Sequence, residues 1–323
     1  MKILVTGGAG YIGSHVVKQL GEAGHDLVIV DNLSTGRKAS LLFGRLEQKD
    51  ISDLDFMNSL FVKEKFEACF HFAGSIVVPE SVTDPLKYYS NNTKNSFDLI
   101  NLCKKHNINK FIFSSTAAVY GDSSESGIYS EESSLEPLNP YGRSKLMTEW
   151  MLEDTSKASE LNYIALRYFN VSGANIDLKI GQCTPNATHL LKIASECAAG
   201  KRDAMSIFGD DYKTEDGTCI RDYIHVDDLA SAHVCALDFL DKNNKSMVLN
   251  CGYGHGYSVK EAIATVKKVT GVDFPVSMDK RRDGDAAKLI SKASKIREVF
   301  GWTPRFDDLE VIVRTAYEWE KKL

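Results

Sequence analysis

Short apolar runs alternate with longer stretches of helical periodicity along the first half of the chain. The apolar runs cover residues 2–5, 26–30, 68–71, 111–114 and 163–166. Apolar positions recur with helical spacing at residues 12–20, and a longer helical pattern covers residues 85–105. Strands that alternate with helices in this way predict a parallel sheet covered by helices on both faces.

The pattern changes beyond residue 172, where shorter elements and a glycine-rich turn at residues 252–256 replace the regular alternation. We therefore expect a first domain over residues 1–172 and a second domain over residues 173–323. A helical segment near residues 219–248 is expected to return to the first domain, which makes the second domain discontinuous in sequence.

Composition narrows the classes of partner. The chain of 323 residues has a formal net charge of -5 and no long block of lysine and arginine, which argues against nucleic acid and against an anionic membrane surface. No apolar segment approaches the about 18 uninterrupted residues of a transmembrane helix. The seven cysteines are scattered, so we expect reduced thiols in the cytoplasm and no metal site. The serine- and glutamate-rich stretch 123–134 predicts an exposed loop.

Glycines separate the first predicted strand from the first predicted helix. Gly7, Gly10 and Gly13 follow the spacing G-x-x-G-x-x-G, and Gly8 also fits the narrower G-x-G-x-x-G. A strand that turns into a helix through glycines leaves backbone N–H groups and the positive end of the helix at one place. This arrangement suits a pyrophosphate, although such a turn can also be purely structural.

An aspartate follows the second predicted strand. Asp31 lies close to the spacing of about 20 residues at which an acid binds the adenosine ribose of a dinucleotide. Its carboxylate can accept both ribose hydroxyls and would repel a 2′-phosphate, so NAD is expected rather than NADP. Arg37 qualifies this expectation, because a nearby arginine can accept that phosphate.

A second informative stretch begins at Asn139. This residue can cap a helix that starts at Pro140, which places Tyr141 and Lys145 on one helical face. A phenol ionises near pKa 10, about three units too high for a base at neutral pH. Lowering the pKa by that amount requires roughly 4 kcal/mol of stabilisation of the phenolate relative to the phenol. A lysine ammonium and the positive nicotinamide ring of an oxidised cofactor can supply it in a dry site. Such pairs also occur on surfaces, but the upstream glycines favour a catalytic one.

Hydroxyl side chains follow the predicted strand at residues 111–114. Thr116 lies at the carboxyl end of this strand, the edge at which open α/β sheets bind ligands. It can hydrogen-bond a substrate hydroxyl and relay its proton. The alternative is a local turn closed by the threonine side chain.

These motifs together resemble the extended short-chain dehydrogenase/reductase family, and within it the nucleotide-sugar epimerases. The similar stretches include Thr6 to Gly13, Ser114-Ser115-Thr116, Tyr141-x-x-x-Lys145, Arg167-Tyr168-Phe169-Asn170, Arg281-Arg282-Asp283-Gly284-Asp285 and Gly301-Trp302-Thr303-Pro304. The resemblance runs nearly end to end. It implies a Rossmann-type doubly wound parallel sheet with a smaller C-terminal α/β substrate domain.

The resemblance also implies a set of site residues. For NAD they are Gly7, Gly10, Tyr11, Ile12, Gly13, Asp31, Asn32, Asp50, Ile51, Phe72, Ala73, Asn92, Tyr141, Lys145 and Tyr168. For a UDP-sugar substrate they are Thr116, Tyr141, Asn170, Arg221, Arg282 and Asp285. Two arginines from distant segments can bind a diphosphate bidentately, and a carboxylate can accept from a ribose hydroxyl.

The implied reaction is NAD-dependent 4-epimerisation of a UDP-hexose, chiefly the interconversion of UDP-glucose and UDP-galactose. Tyr141 is the expected base, assisted by Lys145 and Thr116. Hydride passes from carbon 4 to NAD, the 4-keto sugar turns over, and hydride returns to its opposite face. Family members are commonly homodimers, here through helices at residues 85–105 and 142–154.

Several positions depart from the patterns of relatives. Ala117 and Ala118 stand where nucleotide-sugar dehydratases place an aspartate and a glutamate, which favours epimerisation over elimination or decarboxylation. Ile76 replaces a lysine that meets the cofactor in well-known epimerases. Leu289, at the gate of the sugar pocket, leaves open another UDP-sugar, such as an N-acetylhexosamine or a uronic acid. A non-catalytic NAD-binding regulatory homologue is a further alternative, opposed by Tyr141, Lys145 and Thr116.

Overall fold

The computed structural model describes residues 1–185, 187–282 and 285–323. Asp283 and Gly284 of the Arg-Arg-Asp-Gly-Asp motif lie outside the described residues. Within the described ranges, no helix is long and apolar enough to cross a membrane. The same residues contain no group of three or more His, Cys, Asp or Glu arranged to hold a metal ion.

The strands are short and number fifteen in the described residues. In chain order they are β1 (Lys2–Thr6), β2 (Asp26–Val30), β3 (Arg45–Glu47), β4 (Ala68–His71), β5 (Lys110–Ser114), β6 (Ile128–Tyr129), β7 (Asn162–Tyr168), β8 (Asn170–Ser172), β9 (Met205–Phe208), β10 (Ile220–Arg221), β11 (Tyr223–His225), β12 (Met247–Cys251), β13 (Tyr257–Ser258), β14 (Val276–Asp279) and β15 (Lys288–Ser291). All five predicted strands are present. Strands β2 and β4 have the predicted bounds, β1 and β5 are each one residue longer, and β7 is three residues longer.

Helices alternate with the strands through most of the chain. They are α1 (Tyr11–Glu22), α2 (Leu54–Glu64), α3 (Val78–Thr83), α4 (Pro85–Tyr88), α5 (Asn95–Lys105), α6 (Pro140–Lys157), α7 (Leu190–Ala198), α8 (Val226–Asn243), α9 (Val259–Thr270), α10 (Ser294–Phe300) and α11 (Leu309–Lys322). The predicted helix over residues 85–105 is interrupted by a π-helical turn at Tyr89–Lys94, which separates α4 from α5.

A seven-stranded sheet with the order β12-β7-β5-β4-β1-β2-β3 forms the centre of the fold. Strand β1 pairs in parallel with β2 and β4, and parallel pairing continues outward to β3 on one side and to β5 and β7 on the other. The inner strands are buried along nearly their whole length, as in Ile3, Leu4 and Val5. Continuous apolar runs are required here because both faces of a parallel sheet are covered by helices.

The chain divides into two compact units. The first contains Met1–Val119, Pro137–Arg167 and Ala230–Leu249, and the second contains Tyr120–Glu136, Tyr168–Leu229 and Asn250–Leu323. The second unit thus includes a segment, 120–136, that lies inside the stretch assigned by sequence to the first domain. The assignment of a cofactor role and a substrate role to separate domains stays a prediction.

The second unit has its own sheets and helices. A four-stranded sheet has the order β13-β10-β15-β6, and two-stranded parallel sheets pair β11 with β8 and β14 with β9. Asp222, between β10 and β11, is fully buried and accepts hydrogen bonds from the backbone of Tyr253, Gly254 and Ser291 and from the Ser291 hydroxyl at 2.6–3.2 Å. One carboxylate therefore ties three segments of this unit together.

The expectation of an exposed loop at residues 123–134 is partly wrong. Ile128 and Tyr129 form β6, which pairs in parallel with β15. Tyr129 is fully buried and stacks on Tyr120 with ring centroids 5.1 Å apart. Glu131 accepts a hydrogen bond of 2.8 Å from the Asn250 backbone, so its charge does more than serve solvation. Long-range pairing with β15 buries Tyr129 but leaves Ile128 exposed.

Candidate active site

The glycine turn between β1 and α1 leaves no room for side chains. Gly7 has a positive φ of 70°, in the left-handed region that favours glycine. A Cβ on Gly13 would lie 2.4 Å from the Gly7 carbonyl oxygen, and one on Gly7 would lie 2.5 Å from the Ala73 nitrogen. The backbone therefore forms an open cradle at the start of α1, where Tyr11 and Ile12 are half-buried. This cradle fits the pyrophosphate of a dinucleotide.

Asp31, directly after β2, contacts the backbone of the glycine turn. Its carboxylate accepts hydrogen bonds from the Ala9 nitrogen at 2.9 Å and from the Leu33 nitrogen at 2.8 Å. Each carboxylate oxygen has a further lone pair, so the group can still accept ribose hydroxyls. Because both oxygens are fixed by backbone donors, Asp31 is held in place beside the turn. These residues fit NAD.

Three further predicted cofactor residues, Asn32, Asp50 and Ile51, lie after strands β2 and β3. The Asn32 amide, after β2, donates to Asp50 at 2.7 Å, and the backbone of Ser52 donates to the same carboxylate at 2.9 Å. Desolvation opposes ionisation of Asp50, but these hydrogen bonds outweigh it and lower its pKa. Ile51 beside it is buried. The group offers one ionised carboxylate and an apolar side chain at the edge where β2 and β3 end.

Phe72 and Ala73 follow β4 and adjoin the glycine turn. The Phe72 nitrogen donates to the Thr6 carbonyl at 2.9 Å, and the Phe72 ring lies 5.0 Å from that of His233. The close approach of Ala73 to Gly7 brings these two predicted stretches into one place. Ile76, three residues further on, is 43% exposed.

Asn92 lies in the π-helical turn and is buried. Its carbonyl oxygen accepts from the Ser75 nitrogen at 2.7 Å, and its amide donates to the Ser75 carbonyl at 2.9 Å and to the Ser144 hydroxyl at 3.0 Å. The amide therefore fixes the backbone after β4 and connects it to α6. A π turn inserts an extra residue into a helix and is frequent at functional sites.

Helix α6 begins as predicted. The Asn139 side chain accepts from the Gly142 nitrogen at 2.9 Å, and Pro140 is the first helical residue. Tyr141 and Lys145 are 7% and 3% exposed, so the predicted pair lies in the interior and not on the surface. The Tyr141 ring meets that of Tyr88 edge-on, with centroids 6.5 Å apart.

Lys145 is a buried cation. Its Nζ donates to the Ser114 carbonyl at 2.9 Å and lies 4.8 Å from the centre of the Phe113 ring. Desolvation lowers the pKa of this lysine to about 8, while the negative charge of Glu149 opposes the decrease. Lys145 therefore carries its charge at neutral pH but loses it readily under mildly alkaline conditions.

Thr116 lies just beyond β5 and is buried. Its Oγ1 accepts a hydrogen bond of 3.1 Å from the Ala118 nitrogen. This bond closes a local turn, which was the alternative interpretation of Thr116. That bond uses a lone pair and leaves the hydroxyl hydrogen for another acceptor, so the turn is compatible with a role in proton relay. Ala117 and Ala118 follow without any group that can transfer a proton.

Glu149 and Arg167 were not among the sequence-based candidates. Both side chains are about 4% exposed, and they form an ion pair with an N–O distance of 2.6 Å. The hydroxyl of Ser115 also donates to Glu149. The available signal was spacing, since Glu149 follows Lys145 by the same interval at which Lys145 follows Tyr141.

The second unit contains the remaining predicted substrate residues and Tyr168. Tyr168 and Asn170 are half-buried where β7 ends and β8 begins. Arg221, on β10, lies 3.5 Å from the carboxylate of Asp285. The guanidinium of Arg282 stacks 3.8 Å above the Phe208 ring. The structure thus pairs Arg221 with Asp285 and places Arg282 against an aromatic ring.

A glycine cradle, a fixed aspartate after the second strand and a buried tyrosine–lysine pair define a dinucleotide-dependent α/β enzyme. Residues 3–252 match the NAD dependent epimerase/dehydratase family. The chain belongs to this family.

The similarity to individual relatives extends over the whole chain. A UDP-glucose 4-epimerase of Azospirillum brasilense is 50% identical over 323 residues, covering 100% of this chain and 92% of the relative. The solved UDP-Glc/GlcNAc 4-epimerase of Campylobacter jejuni is 54% identical with a TM-score of 0.87, covering 100% and 99% of the two chains. A UDP-glucose 4-epimerase from Brucella ovis in complex with NAD is 42% identical with a TM-score of 0.95, covering 99% and 98%.

These matches confirm three of the expectations drawn from sequence. They are the nucleotide-sugar epimerase branch of the extended short-chain dehydrogenase/reductase family, the Rossmann-type parallel sheet and NAD as the cofactor. The individual site residues stay predictions.

Replacement of Gly13 tests the cradle. We expect Gly13→Ala to lose bound NAD, because its Cβ would lie 2.4 Å from a backbone oxygen that cannot move without displacing the turn. Gly24→Ala is the matched control, since nothing lies within 4 Å of its Cβ although its φ is +83°. It should lower stability without reducing NAD content. Cofactor released by denaturing each purified protein gives the measurement; equal NAD in both variants would contradict the expectation.

Proposed function

We propose that this protein interconverts UDP-glucose and UDP-galactose by NAD-dependent epimerisation at carbon 4. The observation that carries the proposal is the buried face of α6, with Tyr141 and Lys145, together with a strand end that offers Thr116 followed by two alanines. A base and a hydroxyl relay without an acid–base pair for elimination suit reversible oxidation of an alcohol. Full-length similarity to UDP-glucose 4-epimerases supports the same conclusion.

Tyr141 is assigned as the base that removes the proton of the 4-hydroxyl. The positive charge of Lys145 lowers the free energy of the phenolate. This electrostatic interaction is strong because the lysine is buried. Thr116 hydrogen-bonds the sugar hydroxyl and relays its proton. Bound NAD would supply the acceptor, and then the donor, of the hydride at carbon 4. Gly7, Gly10 and Gly13, with Asp31, Asn32 and Asp50, are the residues assigned to hold it.

The UDP portion of the substrate is assigned to Arg221, Arg282, Asp285 and Asn170. Arginine is suited to a diphosphate because its planar guanidinium donates two parallel hydrogen bonds. Arg221 pairs with Asp285 at 3.5 Å, a distance longer than a direct hydrogen bond, so a phosphate can compete for the guanidinium. Firm binding of the nucleotide and loose binding of the sugar allow the ketone to turn over without being released.

A second substrate class is favoured by one observation. The Campylobacter jejuni relative is described as acting on both UDP-Glc and GlcNAc, and it is 54% identical to this chain. Leu289, the predicted gate, is a half-buried residue of β15 and is smaller than the tyrosine that restricts the pocket in some relatives. We therefore include UDP-N-acetylhexosamines as a second candidate substrate.

We further propose a cytoplasmic homodimer. The helices predicted to form the interface carry large exposed apolar side chains: Phe97 on α5 is 54% exposed, and Trp150 on α6 is 51% exposed. Leu86 on α4 is 76% exposed. Apolar side chains of this size on neighbouring helices are typical of a protein interface. The seven cysteines are free thiols, as expected in a reducing compartment.

A panel of UDP-sugars tests the substrate. We expect the purified protein with its NAD to interconvert UDP-glucose and UDP-galactose, and the ratio of kcat/KM for UDP-N-acetylglucosamine to that for UDP-glucose measures how permissive the gate is. Leu289→Tyr should lower this ratio and leave UDP-glucose turnover largely intact. Absence of turnover with every UDP-hexose in protein that retains NAD would overturn the proposed function.

Replacement of Tyr141 tests the base. Tyr141→Phe should keep the fold and bound NAD but lower kcat by about 10²–10⁴-fold, the usual contribution of a positioned acid–base group. Tyr163→Phe, which removes the hydroxyl of another buried tyrosine in the first unit, is the matched control and should retain activity. A near-wild-type rate for Tyr141→Phe would remove this residue from the base role.

Charges placed on the exposed apolar surface test the dimer. Trp150→Glu combined with Phe97→Glu should yield a monomer in sedimentation velocity, because two pairs of buried carboxylates would oppose association. Ile176→Glu is the control, as Ile176 is 50% exposed but belongs to the second unit. A wild-type protein that sediments as a monomer would contradict the proposed assembly.

A further inference from the structure

Three buried side chains of different charge follow one face of α6. Tyr141, Lys145 and Glu149 are spaced by four residues each, and they are 7%, 3% and 3% exposed. A carboxylate is seldom this deeply buried unless it is paired. The roles proposed for Tyr141 and Lys145 do not explain why a carboxylate is buried at position 149.

Glu149 is held by two residues from the neighbouring strands. Arg167 of β7 donates from Nε to both carboxylate oxygens at 3.1 Å and from Nη2 to one of them at 2.6 Å. The hydroxyl of Ser115, just after β5, donates to the other oxygen. The carboxylate is therefore oriented by these donors and paired with a buried arginine.

The same end of β5 binds Lys145. Its Nζ donates to the carbonyl of Ser114, the residue before Ser115. Two successive residues of this strand end are thus bound by two side chains of α6, directly before Thr116. The position of Thr116 and that of the lysine ammonium depend on the same contacts.

The groups that face Lys145 differ in their charge. Tyr141 and Glu149 belong to its own helix. His71, on β4, is neutral, because burial and then the charge of Lys145 lower its pKa to about 3. Arg167 faces Glu149 from β7. Two buried cations therefore share one buried carboxylate, and the negative charge of Glu149 opposes the effect of desolvation on Lys145.

We propose that Glu149 and Arg167 act as a positioning pair for the epimerase reaction, with Glu149 keeping Lys145 protonated and Arg167 setting how strongly it does so. The inference rests on the proposed function, which assigns Lys145 to catalysis. Glu149 and Arg167 act through Lys145 and Ser115, not on the sugar.

Removal of each partner alone has an effect of predicted sign. Glu149→Gln removes the negative charge that Lys145 and Arg167 share, which favours the neutral form of Lys145. The alkaline limb of kcat, where activity falls as Lys145 loses its proton, should move to lower pH by about one unit or more. Arg167→Gln leaves the carboxylate uncompensated, so the limb should move to higher pH. In the double variant the limb should return towards its wild-type position.

The experiment measures kcat for UDP-galactose from about pH 6 to pH 10 with the NAD-loaded protein, and thermal unfolding of each variant beside it. Glu149→Asp keeps the charge and should keep the limb near its wild-type position even where kcat falls. Glu153→Gln is the matched control on the same helix, because Glu153 is half-exposed and pairs with Lys157 at the surface. It should leave the profile unchanged.

Opposite shifts in the two single variants would support the proposal, and either variant decides alone where the other fails to fold. Shifts in the same direction, or lower stability with an unchanged limb, would overturn it and leave the pair a scaffold contact. A wild-type protein without any turnover would instead overturn the proposed function, so the two failures are distinguishable.

Discussion

The burial of the Lys145 ammonium beside the end of β5 imposes an electrostatic constraint on the first unit. An unpaired charge in an apolar interior is strongly unfavourable, so its surroundings must supply hydrogen-bond acceptors and negative charge. The Ser114 carbonyl meets the first need, and Glu149 contributes to the second. Arg167 pairs with Glu149 in turn and competes with the lysine for its negative charge. Desolvation lowers the pKa of Lys145 to about 8, and the charge of Glu149 opposes that decrease.

The backbone at the glycine turn imposes a second constraint, and it is steric. Gly7 and Ala73 approach so closely that any side chain on Gly7 would collide with the segment after β4. That segment is fixed in turn by Asn92, whose amide also reaches α6. The glycine turn and α6 are therefore linked through a short series of contacts, and a substitution in one is expected to displace the other.

Two alanines, Ala117 and Ala118, follow Thr116 beyond the end of β5. Neither alanine carries a group that can transfer a proton, which agrees with the proposed epimerisation because that reaction needs no acid–base pair for elimination. In the second unit, the Arg221 guanidinium lies 3.5 Å from the Asp285 carboxylate, and that of Arg282 stacks on the Phe208 ring. Cationic side chains of this kind are suited to a nucleotide diphosphate. In the proposed function, the chemistry is assigned to side chains of the first unit and recognition of the nucleotide to side chains of the second.

The sequence by itself determined the parallel sheet, the glycine cradle and the start of α6, because each follows from local patterns of burial, steric freedom and capping. The tertiary structure alone decided which polar groups meet. The burial of Tyr129 in a two-residue strand, the engagement of Asn92 with Ser75, and the pairing of Glu149 with Arg167 all join segments distant in the chain. Periodicity predicts that a side chain faces inward, but the free energy of a buried charge depends on the partner it finds there.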